Sequence, residues 1–204
     1  MTRLFAEAAR RQIRAGQRKG NQKMKLELNN TLASEVDSEC VVLGFTEGGD
    51  LTPSAQAIDE ASGGAIRRLL DSRDIDTGIG KTRFLHGLSG LTAPRILAVG
   101  FGKQDKLNLP RFDRACLAAG KALRDHPLLN CHVCLQELEF DGIGAGQRLR
   151  QSALAIHRAN YLYTTTKPLK DDSPVPLRGA SFQGGEELQP HLGQAVAIAL
   201  GYEK

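Results

Sequence analysis

Tryptophan is missing from this 204-residue sequence, and aromatic residues make up only 5% of it. The core must therefore rest on Leu, Ile, Val and Ala rather than on large rings. Long apolar runs are missing too, since none approaches the roughly 20 residues that cross a bilayer. Nor does the N-terminus show the continuous apolar segment of a secretory signal. Cysteine is sparse, with Cys40, Cys116, Cys131 and Cys134 as the only four, too few for a disulfide framework in a chain this size. Cys40, Cys131 and Cys134 fall in strand-like apolar runs and Cys116 in a helical one, where a free thiol behaves as a small buried hydrophobe. Reduced thiols, no membrane partner and a cytoplasmic setting are the expectation.

What is present is ordinary for a soluble domain, with 41% hydrophobic and 25% charged residues. The length suffices for one substantial domain with a real core. A net charge of +4 and a pI near 9.0 invite a nucleic-acid reading, but the charge is unevenly spread. Residues 1–23 carry seven Lys or Arg against the single Glu7, which leaves the body with 20 basic and 22 acidic side chains. Only the leader is basic.

The leader, Thr2 to Gln22, reads as a short amphipathic helix, with Phe5, Ala8, Ala9 and Ile13 on one side and Gly16 and Gly20 as breakers. Arg-rich, acid-poor helices serve as targeting peptides or anion-binding arms, which makes Arg10, Arg11, Arg14, Arg18 and Lys19 the candidate DNA contacts. The plainer alternative is a solvated extension over residues 1–23. Met24 followed by Lys25-Leu26-Glu27-Leu28 looks like a domain start.

From Met24 strands and helices alternate. Lys25–Leu28 reads as an edge strand, and Cys40–Phe45 as a strand covered on both faces. Gly48-Gly49-Asp50 turns the chain, and Thr52-Pro53 opens a helix that breaks at Gly63-Gly64 and resumes through Leu70. Thr82–Leu85 and Arg95–Phe101 follow as strands, then a helix from Asn108-Leu109-Pro110 to about Arg124. Cys131–Leu138 is expected as a strand, Gln147–Asn160 as a helix, Lys167–Pro176 as a loop, Leu177–Phe182 as a strand and Leu188–Tyr202 as a final Ala-rich helix. Such alternation predicts an α/β fold, a mixed and mostly parallel sheet with helices on both faces.

Several stretches, in this order, resemble the N-terminal domain of the leucyl (cytosol) aminopeptidase family. They are Met24–Leu28; Gly63-Gly64-Ala65-Ile66 with Leu69-Leu70; Gly80-Lys81 with Phe84-Leu85-His86; and Arg95 to Lys103, which ends in a Val-Gly-x-Gly-Lys turn. Tyr161-Leu162-Tyr163 through Lys167 and Gly193 to Gly201 extend the match, although Leu162 and Thr164 depart from the family's usual Tyr-Arg-Phe-Asp. The resemblance implies a macro-domain-like fold over residues 24–187, with residues 188–204 beginning the helix that leads into a catalytic domain. It also implies a cytoplasmic, hexameric parent that removes N-terminal residues such as Leu with two divalent metals, Zn or Mn. The family's metal-binding and catalytic positions would lie beyond Lys204. No catalytic, metal or cofactor residue is therefore expected in this chain, which should not hydrolyse peptides by itself. Its expected partners are the catalytic domain and further copies of the parent.

Other chemistry is thinly signalled. Gly78-Ile79-Gly80-Lys81-Thr82 has the tail of a phosphate-binding loop, but Ile75 stands where the motif needs Gly and a strand follows. Gly142, Gly144 and Gly146 precede a helix, where backbone N–H groups can hold a phosphate. With a macro-like fold they suggest an ADP-ribose-type ligand, although Gln147 occupies the place of a fingerprint Gly. Cys131-His132-Val133-Cys134 is half a zinc site at most, and on a strand its two Cys would face opposite ways. His86, His126, His157 and His191 have no helical partner suggesting a ligand pair.

Overall fold

A computed structural model describes residues 24–160 and 177–202. The basic leader with its candidate DNA contacts, the Tyr161–Lys167 stretch and the Lys167–Pro176 loop lie outside the described residues.

Six strands form one sheet: β1 (Lys25–Asn29), β2 (Val41–Glu47), β3 (Thr82–His86), β4 (Arg95–Lys103), β5 (Asn130–Val133) and β6 (Gly179–Gln183). Their spatial order is β1-β6-β5-β2-β4-β3. Every neighbouring pair is parallel except β3 with β4. The helices are α1 (Pro53–Ala61), α2 (Ala65–Asp71), α3 (Leu109–Arg124), α4 (Ala145–Asn160) and α5 (Gln189–Tyr202).

The continuous apolar run of β2 is explained by packing on both faces. Val41, Leu43 and Phe45 join Ala55 and Ile58 of α1 and Ile66 of α2 in one core. Val42 faces the other way, into a larger core with Phe112 and Cys116 of α3, Leu149 and Ile156 of α4, and Leu192 and Ala195 of α5. Alternate residues of one strand thus serve two layers. Rings are few but gathered, with Phe112 lying 5.3 Å from both Phe101 and Phe140 between centroids.

The helix starts follow the local chemistry. Thr52 Oγ1 accepts a hydrogen bond from the Ala55 N–H at 3.4 Å, with Pro53 in the first helical position. Asn108 Oδ1 does the same for the Arg111 N–H at 3.1 Å. Gly64 joins α1 to α2 at φ +80°, a left-handed conformation that a Cβ would strain.

Two expectations need correction. The strand predicted over Cys131–Leu138 stops at Val133 and becomes a 3-10 turn at Leu135–Glu137. There Gln136 Nε2 donates to the Val133 carbonyl at 3.3 Å and to the Gln183 carbonyl, which folds the chain off the sheet. The helix predicted from Gln147 begins at Ala145, so Gly146 belongs to its first turn. The turn Gly78–Lys81 leads into β3, and its Gly80 N–H donates to the Gly100 carbonyl at 2.8 Å.

Candidate functional site

β2 and β5 are neighbours, yet the chain leaves β2 for α1 on one face of the sheet and β5 for α4 on the other. Loops that part in this way open a crevice at the C-terminal ends of parallel strands. A cavity of about 840 Å³ lies there, a size suited to a small molecule. Residues 48–53 after β2 and residues 136–139 after β5 form its walls, with Gln104, Arg148, Gln183 and Glu187 among the remaining lining. On the first wall a Cβ at Gly49 would stand 2.0 Å from Thr46 Oγ1, so a larger residue there must displace the Thr46 side chain.

The N-terminus of α1 opens on this cavity, and such an end favours negative charge. It is already filled. Glu137 Oε2 accepts from the Ser54 N–H at 2.9 Å and Oε1 accepts from the Ser54 hydroxyl at 2.6 Å. The carboxylate therefore ties the segment after β5 to the helix after β2.

Arg148 is buried at 6% exposure. Its Nε donates to the Gln136 carbonyl at 2.8 Å and its Nη1 to the Ile143 carbonyl. Burial lowers its pKa from the ordinary 12.5, and the negative Glu139 nearby pulls the other way. Gln136 is 3% exposed, and its Oε1 has no hydrogen-bond partner.

Behind the wall, His132 is fully buried. Its Nε2 lies 2.9 Å from Gln183 Oε1, an acceptor, so that nitrogen carries the proton. Nδ1 then accepts from the Ser181 hydroxyl at 2.9 Å. Burial lowers the His132 pKa, and the bond to Gln183 opposes the shift. Neither His132 nor Ser181 lines the cavity. The cavity therefore presents groups that bind and hold charge, without this Ser–His pair.

The three candidate glycines do different things. Gly142 takes φ +77° and lines a second cavity of about 590 Å³. The Gly144 carbonyl accepts from the Gln147 and Arg148 N–H groups at 3.0 and 3.1 Å. Gly146 gives room to His191 of α5, whose Cδ2 would lie 2.1 Å from an added Cβ. Among the described residues no group of three or more His, Cys, Asp or Glu is placed to hold a metal ion, so nothing described here fits a pair of divalent ions. All four thiols are free and buried, and Cys131 and Cys134 belong to cores on opposite faces of the sheet. No described helix is long and apolar enough to cross a membrane.

No local motif singles out Glu137, Gln136 or Arg148, and His132 stands out in the sequence only within Cys131-His132-Val133-Cys134. Glu137 and Ser54 are 83 positions apart, and His132 and Gln183 are 51 apart. The one local signal for them is the polar Gln136-Glu137 pair interrupting the end of an apolar run.

Comparison with known proteins agrees with this architecture. Residues 42–170 match the cytosol aminopeptidase family, N-terminal domain. The probable cytosol aminopeptidase of Xylella fastidiosa (strain 9a5c) is 33% identical over 183 residues, which is 89% of this chain and 37% of that protein. That of Burkholderia thailandensis is 34% identical over 170 residues, 81% of this chain and 34% of the relative. The chain thus spans about a third of the length of these relatives. Among solved structures, a mutant of tomato leucine aminopeptidase superposes with TM-score 0.68 at 18% identity, covering 90% of this chain and 37% of that one. The macro domain of ganglioside induced differentiation associated protein 2 gives 0.62 at 11% identity, covering 86% and 84%. The α/β fold is macro-domain-like, and the chain belongs to the cytosol aminopeptidase family, matching its N-terminal domain.

Proposed function

We propose that this chain is the accessory domain of a cytosol aminopeptidase, docking on a metal-dependent peptidase domain and shaping both the oligomer and access to its active site. The observation that carries the reading is the outer face of α5. Leu192, Ala195 and Ala199 are buried against the body of the domain, while Ile198 is 41% and Leu200 40% exposed, next to exposed Ala197 and Gly201. A helix that is apolar on both sides wants a second partner. The peptidase portion of the parent is that partner, and the Zn or Mn ions, the hexamer and the cytoplasmic location belong to the whole enzyme.

The test is to mix the chain with the separately produced peptidase portion of the Xylella fastidiosa relative and follow association by analytical ultracentrifugation. A complex that is weakened by Ile198→Glu is expected. Failure to associate, or association indifferent to this substitution, would count against the proposal.

A second reading, DNA binding, draws on a specific surface. Arg111, Arg114 and Lys121 recur along one side of α3, and Lys81 and Lys103 flank it beside Gly80 and Gly102. None of the five forms an ion pair among the described residues. Arg67 and Arg68, by contrast, are engaged with Asp59 and the Gly63 carbonyl. Phosphate contacts make affinity fall steeply with salt. In a gel-shift series, binding by residues 24–204 that is lost in Arg114→Ala/Lys121→Ala would support this surface. Binding only by chains that retain Arg10, Arg11, Arg14, Arg18 and Lys19 would assign it to the leader.

A further inference from the structure

We propose that the cavity above β2 and β5 binds a small zwitterion of the α-amino-acid class, its carboxylate on Arg148 and its ammonium group on Glu139.

Arg148 points to the ligand. Its side chain is only 6% exposed, yet no carboxylate lies within ion-pair distance of it among the described residues. Buried charges are normally paired. The Gln136 and Ile143 carbonyls take Nε and Nη1 and hold the guanidinium in place. Nη2 has no hydrogen-bond partner among the described residues, and it is not one of the unpartnered polar atoms that are shut off from solvent. It therefore keeps accessible surface. Arg148 lines both the larger and the smaller cavity, so that surface lies on a cavity wall. A fixed guanidinium with an unused N–H pair is a donor for a carboxylate.

Glu139 makes the fitting anion a zwitterion. It too lines both cavities, and it attracts Arg148 without forming an ion pair with it. Gln104 Nε2 donates to the Glu139 carbonyl at 2.7 Å, which fixes that backbone beside the crevice. A molecule whose two charges are a few bonds apart would give each of these groups a charge-assisted hydrogen bond. A bare cation would leave Arg148 unpaired. A phosphate-bearing ligand would meet Asp50, Glu139 and Glu187 with nothing to offset them, and the nearby helix end is occupied by Glu137. Leu51, Pro53, Leu138 and Leu188 form an apolar part of the wall that suits an aliphatic side chain. Free amino acids are what an aminopeptidase releases, so the site would sense product; that link rests on the proposed accessory role, whereas the binding does not.

Calorimetry on the 204-residue chain at neutral pH and low salt tests the assignment with L-leucine, leucinamide (no carboxylate), isocaproate (no ammonium) and ADP-ribose. Leucine should bind saturably at one site, each single-charge analogue at least about tenfold more weakly, and ADP-ribose should give no heat. Glu139→Gln, at an exposed position outside the core, should weaken leucine by about tenfold. Glu60→Gln, exposed on α1 and outside the lining, should leave it unchanged. In NMR spectra of the unaltered chain, leucine should shift the Arg148 Nε–H signal. Absence of leucine binding, equal affinity for either analogue, indifference to Glu139→Gln, an equal loss in Glu60→Gln, an unmoved Arg148 signal, or binding of ADP-ribose would each overturn the proposal. All of these are read on the chain alone, so their failure is distinct from a failure to associate with the peptidase portion.

Discussion

Replacing Glu137 with Ala removes two acceptors from the start of α1 at once. The bonds lost are those to the Ser54 N–H at 2.9 Å and the Ser54 hydroxyl at 2.6 Å. Hydrogen bonds to a charged group contribute about 1.5–3 kcal/mol each, and the favourable interaction with the helix end adds about 0.3–1 kcal/mol. Glu137 is only half-buried, and neighbouring bonds are not additive. A total loss of about 2–3 kcal/mol is therefore expected, since the Ser54 N–H is left in a residue only 5% exposed. Glu137→Gln keeps one acceptor oxygen and should cost about half as much. Urea unfolding reads this directly, as a fall in midpoint with an unchanged slope. Because an empty helix end attracts anions, tens of millimolar sulfate should restore part of the stability of Glu137→Ala beyond any effect on the parent chain. A loss under about 0.5 kcal/mol, equal damage from Gln and Ala, or no differential rescue would refute the reasoning.

Three further outcomes follow from the same packing. Gly120 of α3 faces α4 so closely that an added Cβ would stand 2.6 Å from Ala159 Cβ and 3.1 Å from Ile156 Cα. In Gly120→Ala the overpacking cost of about 1–3 kcal/mol should exceed the helix-propensity gain of about 1 kcal/mol, and a raised urea midpoint would contradict that. His132 is held neutral by burial, its pKa lowered from 6.5. The unfolded chain therefore binds the extra proton, and the stability this site contributes is whole above about pH 6.5 and is lost as pH falls. His132→Gln should flatten the pH dependence of stability below neutrality by up to about 1.4 kcal/mol per pH unit, and an unchanged slope would sink the claim. Burial also pushes the Cys40 thiol up to about 12, against the pull of Arg95, and raises Cys116, Cys131 and Cys134. Iodoacetamide should spare the folded chain while modifying all four Cys in urea, and rapid labelling of the native protein would be the contrary result.

The elements with local signatures were legible in the sequence. Thr52-Pro53 and Asn108-Leu109-Pro110 announce helices because caps and proline act within one turn, and the break at Gly63-Gly64 shows because glycine takes φ +67° and +80° without the strain a Cβ brings. The apolar runs at Val41 and Ile96 announce strands buried on both faces. Cys131–Leu138 is apolar enough for a longer strand than β5, which ends at Val133. What ends the strand comes from elsewhere in the chain, the Gln183 carbonyl and Ser54. The cavity was illegible for the same reason. Its walls come from segments after five different strands, and the meaning of Glu137 depends on a helix end that only the fold brings near. Gly142, Gly144 and Gly146 stand out in the sequence because phosphate loops are local motifs, whereas the packing of Gly146 against His191 is a tertiary fact.

The most direct test of the accessory role is hydrolysis of leucyl-p-nitroanilide by the purified chain with manganese or zinc added. Release of p-nitroaniline should not exceed that of a protein-free control. Saturable turnover that a chelator abolishes would show that this domain assembles a peptidase centre of its own.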